Sequence, residues 1–171
     1  MRKLILYIAS SLDGFIARRD GSVDWLNEYD GKDDYGYTEL MERIDTLLIG
    51  RKTYNQILGF EKWPYKGKKC YVFTKKINKS KVNDELNFIN DIVGFTKKLK
   101  KEKGKDIWLV GGAEVISILI NENLVDELIL TIVPKVLNSG ISLFKDINKL
   151  SLKLNKMTKY GNLIQLKYLF R

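Results

Sequence analysis

Trp108-Leu109-Val110-Gly111-Gly112-Ala113-Glu114 is the stretch on which the reading of this chain turns. A short apolar run stops at two adjacent glycines, and residues 113–121 resume with helical spacing. Strand, glycine pair, helix is a junction with two readings. Paired glycines let a phosphate approach the backbone and leave the helix N–H groups free to receive it. A tight turn needing positive φ uses the same residues. The junction is not a Gly-x-Gly-x-x-Gly element, and the sequence contains none.

Two more junctions of this kind lie upstream. In Leu48-Ile49-Gly50-Arg51-Lys52-Thr53-Tyr54 a strand stops at a glycine and a helix begins with two cations and a hydroxyl. Exposed helix N–H groups with Arg51 and Lys52 make an anion site, although surface cations at helix starts are also common. In Tyr71-Val72-Phe73-Thr74-Lys75-Lys76 a strand end is followed by a hydroxyl and two lysines. That is either a solvated loop or the adenosine side of a nucleotide site.

The rest of the chain follows the same alternation. Apolar strand-like runs fall at 4–9, 46–49, 69–73, 86–89, 107–110 and 127–133. Helical spacing falls at 35–43, 52–58, 92–103 and 113–121, and the segment 10–30 reads as a long loop. The tail alternates through 152–156 and again through 163–170 after Gly161-Asn162, the pattern of a terminal hairpin. These elements predict an α/β fold in three layers. The central sheet is mostly parallel, with helices on both faces and a C-terminal antiparallel hairpin. With no repeat or linker, residues 1–171 read as a single domain.

Composition removes several chemistries. The chain has no His, so a Ser-His triad, a His base and a His-ligated metal are excluded. Cys70 is its one cysteine; it excludes an intrachain disulfide and reads as a buried thiol. The net charge is +9, with 30 Lys and Arg against 21 Asp and Glu. Much of the excess sits in residues 97–105, where Leu99 faces a core and the lysines fan outward as a solvated helix end. Without interleaved aromatics, that run does not predict nucleic-acid binding. No apolar run approaches the ~20 residues of a membrane span, and residues 1–9 are too short for a signal peptide. The expectation is a cytoplasmic protein.

In order along the chain, residues 7–17, 24–26, 48–54, 110–113 and 126–131 together resemble the dihydrofolate reductase superfamily. The nearer branch is the reductase domain of bacterial riboflavin-biosynthesis proteins (the RibD C-terminal domain) and its stand-alone relatives. The resemblance implies an NADPH-dependent reductase that passes hydride to a small pteridine-like or pyrimidine-like substrate. It also implies the cofactor contacts. Arg51, Lys52 and Thr53, with Gly50, would hold phosphates, and Thr74 and Lys75 would flank the 2′-phosphate. Gly111 and Gly112, joined by a cis peptide between Val110 and the helix start Ala113, Glu114 and Val115, would face the pyrophosphate. Ala9 and Ile16 would frame the nicotinamide.

Asp34 is the position matching the family's substrate carboxylate, with Asp33, Glu39 and Asp24 as rivals and a helix N-cap as the competing role. Lys68 stands where folate enzymes use an arginine on the substrate's glutamate tail, Ile116 where they have a tyrosine near the nicotinamide, and Tyr37 and Thr38 where bulky residues pack the pteridine. These departures set folate itself aside and leave a non-catalytic dinucleotide-binding module as the alternative. The loop over residues 11–26 would act as a lid. The branch also implies a homodimer, with Leu163, Leu166, Tyr168 and Phe170 either at its interface or in the core.

Overall fold

The computed structural model describes residues 1–60, 62–75 and 85–171. In chain order the elements are β1 (Leu4–Ser11), β2 (Phe15–Ala17), a 3₁₀ segment (Asp24–Tyr29), α1 (Tyr37–Arg43), β3 (Ile44–Gly50), α2 (Arg51–Ile57), β4 (Lys69–Phe73), β5 (Leu86–Ile89), α3 (Ile92–Lys101), β6 (Asp106–Gly111), α4 (Ala113–Asn121), β7 (Glu127–Val133), β8 (Ile141–Ser142), β9 (Leu152–Tyr160) and β10 (Leu163–Phe170). Eight strands form one sheet in the order β5-β4-β3-β6-β1-β7-β10-β9. The first six are mutually parallel, and β10 and β9 add antiparallel at one end.

Period-2 alternation sorts the core into two layers. From β1, Leu4 and Leu6 join Leu109 of β6 under Leu99 of α3 and Ile116 and Leu119 of α4. Ile5 of β1 joins Leu47 and Ile49 of β3 and Trp108 of β6 under Leu40 of α1 and Tyr54 and Ile57 of α2. Both faces are covered, which is why the central strands are apolar along their whole length. Each fully buried Leu or Ile here contributes about 1.5–3 kcal/mol relative to exposure.

Two readings change, and the alternatives left open for the hairpin separate. The segment 10–30 is not one open loop: β1 runs on to Ser11, β2 pairs with β8, and residues 24–29 form the 3₁₀ segment. Lys100 does not fan outward with its neighbours. It is buried, and its Nζ donates to the Leu124 carbonyl (2.6 Å) and Asp126 Oδ2 (2.5 Å). In the hairpin Leu163 is buried, while Tyr168 and Phe170 pack against the core. Its exposed apolar residues are Leu154, Met157 and Ile164. Cys70 is buried as expected, and burial pushes its thiol up to about 12. No helix among the described residues is long and apolar enough to cross a membrane.

Candidate active site

In an open α/β sheet, ligands sit beyond the carboxyl ends of the strands, where neighbouring connections run to opposite faces. Here β3 and β6 are adjacent parallel strands, and both end in glycine. From β3 the chain turns into α2 on one face; from β6 it turns into α4 on the other. The two turns touch. A Cβ on Gly50 would lie 3.1 Å from the Gly112 backbone N, 3.1 Å from Val115 Cγ2 and 3.2 Å from the Gly111 carbonyl. A Cβ on Gly112 would lie 3.1 Å from Thr53 Oγ1. Gly111 has φ +126°, and the Gly111–Gly112 peptide is cis.

The structure therefore brings Gly50, Thr53, Gly111, Gly112 and Val115 into one patch. Neither α2 nor α4 has a side-chain N-cap, so their first-turn N–H groups are left to other acceptors. Lys52 and Glu114 stand at the rim, Nζ to Oε1 3.9 Å, both well exposed. The Arg51 guanidinium lies over the rings of Phe88 (5.1 Å) and Tyr54 (5.7 Å). β4 is the next strand beyond β3, so Thr74 and exposed Lys75 flank the same edge. Thr74 N donates to the Ile89 carbonyl (2.9 Å). Lys76, the second lysine of that junction, lies outside the described residues. Val110 packs on the α1–α2 side of the sheet, and Ala113 and Glu114 open α4.

Ala9 and Ile16 fall in different clusters: Ala9 packs beside Trp25, Val133 and Leu163, and Ile16 packs on the α3–α4 side. Ile116 is fully buried behind the turn, its Cδ1 3.7 Å from where a Gly111 Cβ would be. Lys68 does not point to a ligand. Its Nζ donates to the Met41 (2.7 Å) and Ile44 (2.8 Å) carbonyls, closing the C-terminus of α1.

Asp34 is exposed and accepts from the Thr38 backbone N (3.1 Å) and Thr38 Oγ1 (2.8 Å), so it holds the first turn of α1. Asp33 accepts from the Asp34 backbone N (2.7 Å), Asp24 pairs with Arg18 (2.6 Å) and Glu39 lies on the first turn of α1. The segment expected as a lid is pinned. Asp13 accepts from Ser11 Oγ (2.6 Å) and from the backbone N of Leu137 (3.1 Å) and Asn138 (2.7 Å). The Leu12 backbone N donates to the Lys135 carbonyl (2.8 Å).

The sequence did not single out the aromatic wall on the α1–α2 side. Tyr7, Tyr37, Trp108, Tyr65, Trp63 and Tyr54 form a chain of tilted and edge-on ring contacts with centroids 5.4–6.4 Å apart. Tyr7 is largely buried, which with nearby Asp34 pushes its phenol far above its ordinary range and keeps it a hydrogen-bond donor. Trp25 is buried, and its Nε1 has no partner among the described residues.

A sheet of this order, with glycine turns meeting at the ends of two parallel strands, defines a protein of dihydrofolate-reductase-like fold. The profile of the RibD C-terminal domain matches residues 63–166. The chain is 44% identical over 170 residues to the uncharacterized protein YwjB of Bacillus subtilis, covering 98% of this chain and 97% of that one. The crystal structure of a putative riboflavin biosynthesis protein from Shewanella sp. PV-4 superposes with a TM-score of 0.88 at 30% identity, covering 99% of each chain. Dihydrofolate reductase from Enterococcus faecalis, complexed with NADP(H) and RAB-propyl, has a TM-score of 0.65 at 16% identity over 98% of this chain and 96% of that one; at that identity it shows the fold alone. The chain belongs to the RibD C-terminal domain family.

Proposed function

We propose that this protein is an NADPH-dependent reductase that delivers hydride to a small pteridine-like or pyrimidine-like substrate. The observation that carries the reading is the contact between the Gly50 and Gly111–Gly112 turns. It sets two uncapped helix starts side by side, with only the Thr53 hydroxyl and a Val115 methyl reaching the contact. Such a surface suits a diphosphate, because backbone N–H groups and two helix dipoles face the same anion. The residues present fit a dinucleotide of this kind. Gly50, Thr53, Gly111 and Gly112, with the first turn of α4, would take the phosphates. Arg51 and Lys52 would add charge, and Thr74 and Lys75 would lie toward a 2′-phosphate. Ala9 and Ile16 would flank the nicotinamide. The cofactor supplies hydride when bound; the chain's part is to orient it and keep water away.

On the substrate side Tyr7, Tyr37 and Trp63, the partly exposed members of the aromatic wall, would offer ring surface, with Asp34 as the carboxylate at its rim. Because Asp34 already holds α1, the rival reading of a dinucleotide-binding module without catalysis keeps a specific basis. Titration of the purified protein with NADPH, followed by fluorescence and calorimetry, tests the first step. Absence of binding overturns the reading. Oxidation of bound NADPH across a panel of pterins and pyrimidines then supports the reductase against the module. Leu154, Met157 and Ile164 lie exposed on the hairpin, and a homodimer through that surface belongs to the proposal; sedimentation reads it directly.

A further inference from the structure

One peptide group beside the aromatic wall is held from two strands, and a third strand braces one of its donors. Tyr35 lies in the left-handed region with φ 52°, and Gly36 follows at φ 77°. A tyrosine does not keep that conformation on local preference alone, so the surroundings must impose it. The Tyr35 carbonyl accepts from Tyr7 Oη on β1 (3.1 Å) and from Gln165 Nε2 on β10 (2.7 Å). The same Nε2 donates to Thr131 Oγ1 on β7 (3.0 Å), the residue that Gln165 opposes in the sheet. The Tyr35 hydroxyl donates back to the Tyr29 carbonyl (3.1 Å), and its ring meets Tyr160 of β9 edge-on at 5.4 Å. Both lone-pair directions of one carbonyl and both hydrogens of one amide are therefore used.

The strap so held, residues 29–36, runs from the end of the 3₁₀ segment to the start of α1 and carries Asp33 and Asp34. We propose that Gln165 and Tyr7 are positioning residues that clamp this strap through the Tyr35 carbonyl and thereby fix the Asp34 turn at the rim of the aromatic wall. Calling that rim the substrate side rests on the reductase reading; the clamp itself rests on the hydrogen bonds. Gln165 lies on the C-terminal hairpin, so it ties the placement of the Asp34 turn to the antiparallel end of the sheet.

The test uses the full chain with Gln165→Leu, Tyr7→Phe and Gln165→Glu, read by amide hydrogen exchange and by NADPH titration. Gln165→Leu and Tyr7→Phe should each speed exchange in residues 29–38 by about tenfold or more, the effect of losing one or two hydrogen bonds from a local opening. Exchange in α3 and α4 should stay at wild-type rates, and the NADPH affinity of Gln165→Leu should stay within about twofold, because β10 carries none of the cofactor residues. Gln165→Glu separates clamping from packing. Its carboxylate has no hydrogen to donate at neutral pH, so it should behave like the Leu variant. On acidification its protonated form has one O–H to donate to the Tyr35 carbonyl, so its protection, corrected for the intrinsic pH dependence of exchange, should return in part, whereas that of the Leu variant should not. Wild-type exchange of residues 29–38 in both Gln165→Leu and Tyr7→Phe overturns the clamp, as does exchange that rises evenly along the chain. A wild-type protein that fails to bind NADPH overturns the reductase reading while the exchange result still decides the clamp.

Discussion

Replacing Gly50 by alanine tests whether the two glycine turns act as one cradle. The backbone at Gly50 (φ −72°, ψ 150°) suits alanine, so the cost is steric and not conformational. The new methyl would sit 3.1, 3.1 and 3.2 Å from the Gly112 N, Val115 Cγ2 and Gly111 O, where relaxed contacts lie near ~3.5–4.0 Å. The turns must separate by about 0.3–0.5 Å, and two of the three neighbours are backbone atoms that cannot rotate away. Overpacking of this kind costs roughly 1–3 kcal/mol, offset by about 0.4–1 kcal/mol from the stiffer unfolded chain. The net loss is about 1–2 kcal/mol, or roughly 2–8 °C in Tm for a chain of this length. If the shift breaks one charge-assisted hydrogen bond to a phosphate, NADPH affinity falls a further ~10–100-fold. Urea unfolding and calorimetric titration measure the two effects separately. Loss of stability with NADPH affinity unchanged within about twofold would refute the shared cradle. No change in either would refute the close approach itself.

Glu127 is 2% exposed at its side chain and accepts from Arg43 Nη1 and Lys167 Nζ, each at 3.0 Å. Glu127→Gln keeps the shape and takes the carboxylate from Lys167, while Arg43 keeps Asp106 (3.2 Å), so urea unfolding should show a loss of about 1–2 kcal/mol; a loss under ~0.5 kcal/mol would contradict it. Thr96 is fully buried with no partner for its hydroxyl among the described residues. The isosteric Thr96→Val should hold or raise stability by about 1 kcal/mol, and a clear loss counts against this. Asp13 titrates below its ordinary 3.8, chiefly because Ser11 and then the Leu137 and Asn138 N–H groups bond its carboxylate. A depressed folded value means that the tether is fully present above 3.8 and is lost as pH falls through that lower value. Exchange protection at residues 137–138 should fade in that acid window in the wild type and show no such step in Asp13→Asn.

What the sequence made legible was local. α4, β7 and β10 lie where the periodicity puts them: α4 is an apolar run closed by the polar residues 121–123, β7 an apolar run stopped by Pro134, and β10 an alternating run opened by Gly161-Asn162. β2 and β8 gave no such signal. They are three and two residues long, and their pairing depends on Gly140, where any Cβ would run into the Ala17 carbonyl. Lys68 read as a cation toward substrate and Lys100 as a solvated one, since nothing local says that carbonyls from α1 and from the turn after α4 lie above them. Tyr7 read as one more apolar residue in β1; its role follows from Tyr35 and Trp108, which only the fold brings to it.

The helix starts carry the last step of the argument. Asp91 caps α3, accepting from the Gly94 N at 2.9 Å, and Asp34 holds the first turn of α1. α2 and α4, whose starts face each other, have glycine at the cap position and no side-chain acceptor. Glycine is itself a fair cap, so against a side-chain acceptor the fold forgoes only a few tenths of a kcal/mol at each of the two helix starts that meet. An anionic ligand would supply those acceptors, and whatever binds only the folded chain stabilises it. At a hundred times its Kd, NADPH should add about 2.7 kcal/mol and raise Tm by roughly 5–10 °C. Inorganic phosphate at the same concentration should do much less, since it spans one helix start and not both. A Tm that responds equally to the two would show that the facing helix starts are separate anion sites and not a place for a diphosphate.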